Sequence, residues 1–255
     1  MTKQGIGNMR FFWIPLLALL LLAQTPVVWA KDRLILLAGQ SNMMGRGKVS
    51  ELPATYKTTP ANVKYFYQGR EHPLAKFAWF GPEVSFAHDV ARAFPHDTII
   101  MVKQAATGSL IQQWQPGQAL YKGLLRQVGF ATPKDTTLQA DAILWMQGES
   151  DAQESIGVAK QYGQRFANLV THLRQDLDSP NSAFIYGQVN LDHPEHAEAI
   201  ASVRNQQQAA QRSVSRAVMV STDGLGKQDD GIHYNAQGQM ELGKRFAKAY
   251  IQQMK

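Results

Sequence analysis

The chain has 255 residues, 44% hydrophobic and 18% charged, a balance that suits a packed core and excludes a disordered chain. It has no cysteine, which excludes disulfides, thiol catalysis, cysteine zinc sites and a lipid-bearing cysteine. The net charge is +6, but no basic run or aromatic-interleaved basic patch accompanies it, so a nucleic-acid partner is not expected.

Residues 1–30 read as a targeting segment. Lys3 and Arg10 are the only charges before Lys31, Phe11 to Ala23 is apolar throughout, and Val28-Trp29-Ala30 ends in a small residue. That is the layout of a secretory signal. The apolar run has 13 residues with Pro15 inside it, against about 20 for a spanning helix. The expectation is a chain cleaved near Lys31, exported to the periplasm or beyond, with no stable membrane insertion. Losing Lys3 and Arg10 leaves a charge of +4, which favours encounter with an anionic polymer.

From Lys31 onward, short apolar runs alternate with longer helical patterns. The runs are Leu34–Ala38, Val63–Tyr67, Thr98–Val102, Ala142–Met146, Ala183–Val189 and Ala217–Ser221. Several are continuous rather than alternating, as in strands buried on both faces of a parallel sheet. Helical spacing marks Glu83–Phe94, Gly157–Leu177, His196–Val214 and Ala236–Met254. Pro82 opens the first of these, and the second stops before Asp178-Ser179-Pro180. The alternation predicts a single α/β domain over residues 31–255 with a mostly parallel sheet. The least regular stretch, Ser50 to Lys76, reads as an insertion or a lid over the site.

In such sheets ligands bind beyond the carboxyl ends of the strands, and the loops there are distinctive. They read GQSNM after the first run, KQAATGSLIQQW after Val102, QGESDA after Met146 and TDGLGKQDDGIHYN after Ser221. Ser41 lies on a sharp strand-to-helix turn, after a glycine that permits tight geometry. It is a candidate nucleophile or an N-cap. Among seven histidines, most sit in helices or polar turns, and His193 and His196 flank Pro194 where solvation is the default. His233 stands apart, three residues after Asp230 and just before the last helix. Asp-x-x-His on a tight turn can set a carboxylate against the imidazole, making His233 a base for Ser41 and Asp230 its orienting acid. Asp229 is an alternative acid. Candidate oxyanion donors are the Ser41 and Gly108 amides and the Gln147 side chain. Trp79 and Trp114 are aromatics available to stack on a sugar.

In this order, GQSNM, the Gly-Ser loop with Trp114, W-x-QGESDA and DGIHYN resemble the sialate O-acetylesterase and acetylxylan esterase family, the family-six carbohydrate esterases of the SGNH hydrolases. GPEVSFA at residues 81–87 is similar to the family's stretch before its first long helix. The resemblance implies a three-layer α/β/α sandwich with a flavodoxin-like sheet that removes acetyl esters from sugars without metal or cofactor. Carried onto this sequence, it makes Ser41 the nucleophile, His233 the base, Asp230 the acid and Gly108 the glycine of the oxyanion hole. Gln147 stands where many SGNH enzymes have asparagine. Gln40 and Asn42 flank the nucleophile as loop-fixing or substrate-binding residues. Glu149 is an anchor for the Ser41 loop, a substrate ligand, or a rival acid for His233. Two other readings are a broader SGNH lipase or thioesterase, distinguished by its chain-length preference, and a catalytically dead carbohydrate-binding protein.

Overall fold

A computed structural model describes residues 1–2, 30–132 and 138–255. The expected signal segment therefore lies almost wholly outside the described residues. Among those described, no helix is long and apolar enough to cross a membrane.

The central strand β1 (Asp32–Gly39) is buried along all but its first residue. Its continuous apolar run arises because the two faces feed two different cores. Ile35 and Leu37 join Val84 and Phe86 of α2 (Glu83–Ala93) and Leu242 and Phe246 of α8 (Ala236–Gln253). Leu34, Leu36 and Ala38 join residues of α3 (Ala119–Ala131), α6 (Tyr162–Asp176) and α7 (Ala197–Ser213). Period-two side-chain alternation thus places one strand between two helical layers. The result is the expected α/β/α sandwich.

β1 pairs in parallel with β6 (Thr98–Ala105) on one side and β7 (Ala140–Met146) on the other. β8 (Ala183–Gly187) and β9 (Ala217–Val220) continue the parallel sheet beyond β7. These five strands have the spatial order β6-β1-β7-β8-β9, the flavodoxin-like arrangement. Each expected strand run lies on a strand of this sheet, and a separate two-stranded ribbon pairs β2 (Gly47–Lys48) with β5 (Trp79–Phe80).

Two expectations are corrected. Within Ser50–Lys76, read as an insertion or a lid, β3 (Val63–Tyr67) adds to β6 in parallel and β4 (Arg70–Glu71) hairpins onto β3, so residues 63–71 widen the sheet at its edge rather than close over the site. The pattern from Gly157 to Leu177 is not one helix. It divides into α5 (Ile156–Ala159) and α6, because the Gln206 side chain occupies the break. Its Nε2 donates to Ala159 O at 2.7 Å and its Oε1 accepts from Gly163 N at 2.8 Å. One side chain from α7 satisfies the helix-end groups on both sides of the break.

Candidate active site

The turn that carries Ser41 is built by a close approach between the ends of β1 and β7. Gly39 has φ of 145°, and a Cβ there would lie 2.1 Å from Met146 O, so only glycine fits. Gln40 N then donates to Met146 O at 2.9 Å. The chain turns directly into the one-turn helix α1 (Ser41–Met44). The Gln40 side chain reaches the other way, its Oε1 accepting from Gly148 N and Ser150 N at 3.3 Å. It thereby caps α4 (Glu149–Glu154), an assignment of Gln40 to loop fixing.

Ser41 Oγ lies 2.9 Å from His233 Nε2, and His233 Nδ1 lies 2.6 Å from Asp230 Oδ2. The three residues are thus in hydrogen-bonding line across 192 positions of sequence. The second Asp230 oxygen accepts the backbone N–H groups of Ile232 at 2.9 Å and His233 at 2.8 Å. This is a tight Asx-type turn that holds the carboxylate on the ring. Partial burial works against the Asp230 charge, but the His233 and Ile232 hydrogen bonds outweigh it and hold the carboxyl below the ordinary aspartate range. A carboxylate ionised across the neutral range is what an imidazole needs as an orienting partner.

Asn42 joins the Ser41 turn to both other parts of the site and is completely buried. Its Nδ2 donates to Glu149 Oε1 at 2.7 Å and to Ile232 O at 3.0 Å, while its Oδ1 accepts from Tyr234 N at 3.0 Å. Glu149 therefore contacts the Ser41 loop, and the ring of His233 bonds Asp230 instead. Of the three acids considered for His233, Asp230, Asp229 and Glu149, the geometry places Asp230 in contact. Burial pushes the Glu149 carboxyl up, with the Asn42 bond opposing it, and its Oε2 has no partner among the described residues.

The oxyanion candidates divide. The N–H groups of Ser41 and Gly108 take no partner among the described residues, and Gly108 has φ of 71° with open space around it. The Gln147 amide is turned inward. Its Nε2 donates to Ser109 O at 2.8 Å and to Asp151 Oδ2 at 2.5 Å. Both its N–H groups are engaged, so as placed Gln147 has no N–H left for an oxyanion. Instead it ties the turn carrying Gly108 to Asp151. Burial raises the Asp151 carboxyl to about 6, against the opposing bonds from Gln147 and Ile111. Sequence reading passed over Asp151, although its spacing of four from Gln147 on a helix-start motif was the available signal.

Two further residues support the Ser41 turn. Lys103 of β6 and Glu83 of α2 form a buried ion pair at 2.8 Å. Lys103 Nζ also donates to Met44 O at 2.7 Å, and Glu83 Oε1 accepts from Gly81 N at 2.9 Å. A lysine at the end of an apolar strand run and a glutamate in GPEVSFA were the visible signs. Trp114 is fully buried, its Nε1 on Ser109 Oγ at 2.9 Å. It packs the core beneath the site and cannot stack on a sugar. Trp79 is 48% exposed and remains available.

The family model for carbohydrate esterases described as sialic acid-specific acetylesterases matches residues 31–252. The chain belongs to this family. It is accordingly a carboxylic ester hydrolase of the carbohydrate acetylesterase kind. A probable carbohydrate esterase of Arabidopsis thaliana is 27% identical over 252 residues, covering 89% of this chain and 93% of that one. The fold is shared with an Arabidopsis thaliana protein solved by X-ray crystallography, with a TM-score of 0.76 and 24% identity over 87% of this chain and 98% of the other. It is shared likewise with NanS, with a TM-score of 0.73 and 16% identity over 88% and 98%. These two proteins and the present chain have the α/β sandwich in common.

Proposed function

We propose that this esterase removes O-acetyl groups from an acidic sugar of the sialic acid type through an acetyl-enzyme on Ser41. The observation that carries the reading is the line from Ser41 Oγ to His233 Nε2 at 2.9 Å and from His233 Nδ1 to Asp230 Oδ2 at 2.6 Å. His233 Nε2 takes the Ser41 proton as Oγ attacks the acetyl carbonyl, and Asp230 stabilises the imidazolium that forms. The free Ser41 and Gly108 amides face the developing oxyanion. The alcohol of the sugar leaves with the proton from His233. Water then attacks the acetyl-serine by the reverse route, and acetate departs.

Two features support an acidic sugar. The family description specifies sialic acid. A cleft of about 290 Å³ beside the site is lined by the cations Arg46 and Lys48, the acids Glu51 and Asp229, and Trp79 and Gln228. Arg46 Nη2 bonds Thr107 Oγ1 at 2.9 Å, next to Gly108, and Arg46 O accepts from Gln228 Nε2 at 2.8 Å. A guanidinium offers planar donors to a carboxylate, and an exposed indole offers a face to a ring. The signal-like residues 1–30 support export, with a product beginning near Lys31.

Acetate release from O-acetyl sialic acid, acetylated xylan, acetylated peptidoglycan and nitrophenyl esters of rising chain length tests the reading. The expected order places O-acetyl sialic acid first and short acyl chains above long ones. A preference for neutral xylan or for long acyl chains would overturn the substrate assignment.

A further inference from the structure

His193 sits in the loop after β8, outside the Ser41–His233–Asp230 line, yet it contacts the loop that carries two of those residues. Its Nε2 lies 2.9 Å from the backbone oxygen of Asp230, and its Nδ1 lies 2.7 Å from Glu195 Oε1. A carbonyl and a carboxylate both only accept hydrogen bonds. The imidazole can satisfy both only with a proton on each nitrogen. A neutral ring would set a lone pair against one of the two acceptors.

Three neighbouring bonds make this contact part of a brace. Asp192 N donates to Gly231 O at 2.9 Å. Lys227 Nζ donates to Asp192 Oδ1 at 2.6 Å and to Asn190 Oδ1 at 3.2 Å. The loop after β8 thus clamps the chain from Lys227 to Gly231.

We propose that His193, held as an imidazolium between Glu195 and the Asp230 carbonyl, is a positioning residue that fixes the turn bearing Asp230 and His233, and that its deprotonation sets the alkaline limit of catalysis. The proposal rests on the esterase reading above. The charged groups facing His193 are accounted for on each element packed against it. On its own loop these are Glu195, Asp192 and His196, the last with its ring 6.3 Å away. On the opposing loop they are Asp230, whose carboxylate is engaged with His233, with Asp229 and Lys227 further along. On α7 it is Arg204, which shares a cavity wall with His193 and bonds Val189 O and Asp223. The acids outnumber the cations close to the ring. Consistently, the Glu195 and Asp230 carbonyl bonds hold the imidazole above its ordinary pKa.

The test is the pH dependence of kcat and kcat/KM on an acetyl ester, with wild type, Glu195→Gln, His193→Gln and His193→Ala compared. In Glu195→Gln, an exposed site, the alkaline limb is expected to fall by about one pH unit, since the carboxylate that favours the imidazolium is gone. In His193→Gln the amide still donates to the Asp230 carbonyl, so kcat stays within about threefold while that limb disappears. In His193→Ala kcat falls about tenfold at unchanged KM, because the turn loses its clamp. An alkaline limb that persists in His193→Gln overturns the proposal, as does a fall in kcat in His193→Ala with the pH profile unaltered. A second readout needs no turnover. The Gly231 amide ¹⁵N shift should titrate with the His193 ring in wild type and not in His193→Gln. Loss of all hydrolysis by wild type would count against the esterase reading, whereas an untitrating Gly231 amide counts against this inference alone.

Discussion

Replacing Asn42 with alanine removes three hydrogen bonds at once, two of them buried. The Glu149 carboxylate loses its 2.7 Å donor, Tyr234 N–H loses its acceptor, and Ile232 O loses a donor. A stranded buried polar group costs about 1–3 kcal/mol, and more if charged. Ile232 O is partly buried and regains water, so roughly 3–5 kcal/mol is expected from the other two. That corresponds to a fall in Tm of roughly 10 °C for a domain of this size. The Glu149 part is separable. Its second oxygen already lacks a partner, so Asn42→Ala leaves a buried carboxylate without a side-chain donor. Glu149→Gln keeps an acceptor for Asn42 in the wild-type background and should change stability by less than about 1 kcal/mol. In the Asn42→Ala background the same change should restore about 1–2 kcal/mol by removing the stranded charge. Urea unfolding followed by circular dichroism at pH 7 measures all four corners of this cycle. A single-variant loss below about 1 kcal/mol, or no coupling between the two sites, would refute the view that Asn42 links the nucleophile turn to the rest of the site.

Three other predictions follow from the same geometry. Asp151, raised by burial to about 6 from 3.8, binds its proton more tightly folded than unfolded. The stability it gives is complete below pH 3.8 and is lost as pH rises through about 6. The difference of about 2 pH units amounts to about 3 kcal/mol. Asp151→Asn should flatten the wild-type stability curve across that window, and an unchanged slope in paired unfolding titrations would contradict it. Lys103→Met leaves Glu83 buried without its partner and should destabilise by about 3–5 kcal/mol, while Lys103→Met with Glu83→Gln recovers most of the loss; a double variant no better than the single one would count against the pair. Asp230→Asn should lower kcat about a thousandfold or more by misorienting His233, whereas Glu149→Gln should stay within about tenfold. The reverse ranking in steady-state kinetics would make Glu149 the acid.

Much of this was legible in the sequence because it is local or periodic. The continuous run Leu34–Ala38 announced a strand buried on both faces, since its alternate residues enter separate cores. Asp230 and His233 were legible because the turn that joins them spans three residues. What escaped depends on partners distant in the chain. The break before α6 is made by Gln206, more than forty residues away. The helix α3 carries Tyr121, Leu124 and Val128 at helical spacing, a pattern passed over beside the Gly-Ser loop. Gln147 faces inward because Asp151 and Ser109 O compete for its amide, and residue type alone does not reveal that competition. His193 read as a solvated loop histidine because its contact with Asp230 crosses 37 positions. Val63–Tyr67 was legible as a strand, but its place between β6 and the edge strand β4 was not, since pairing with β6 is a tertiary fact.

The most direct test of the account is acetate release from O-acetyl sialic acid by the chain from Lys31 onward, beside its Ser41→Ala variant. The account predicts steady release by the wild type, with a mass increase of one acetyl group on Ser41 after rapid quench, and loss of both in a variant that remains folded. Release that survives Ser41→Ala would contradict it.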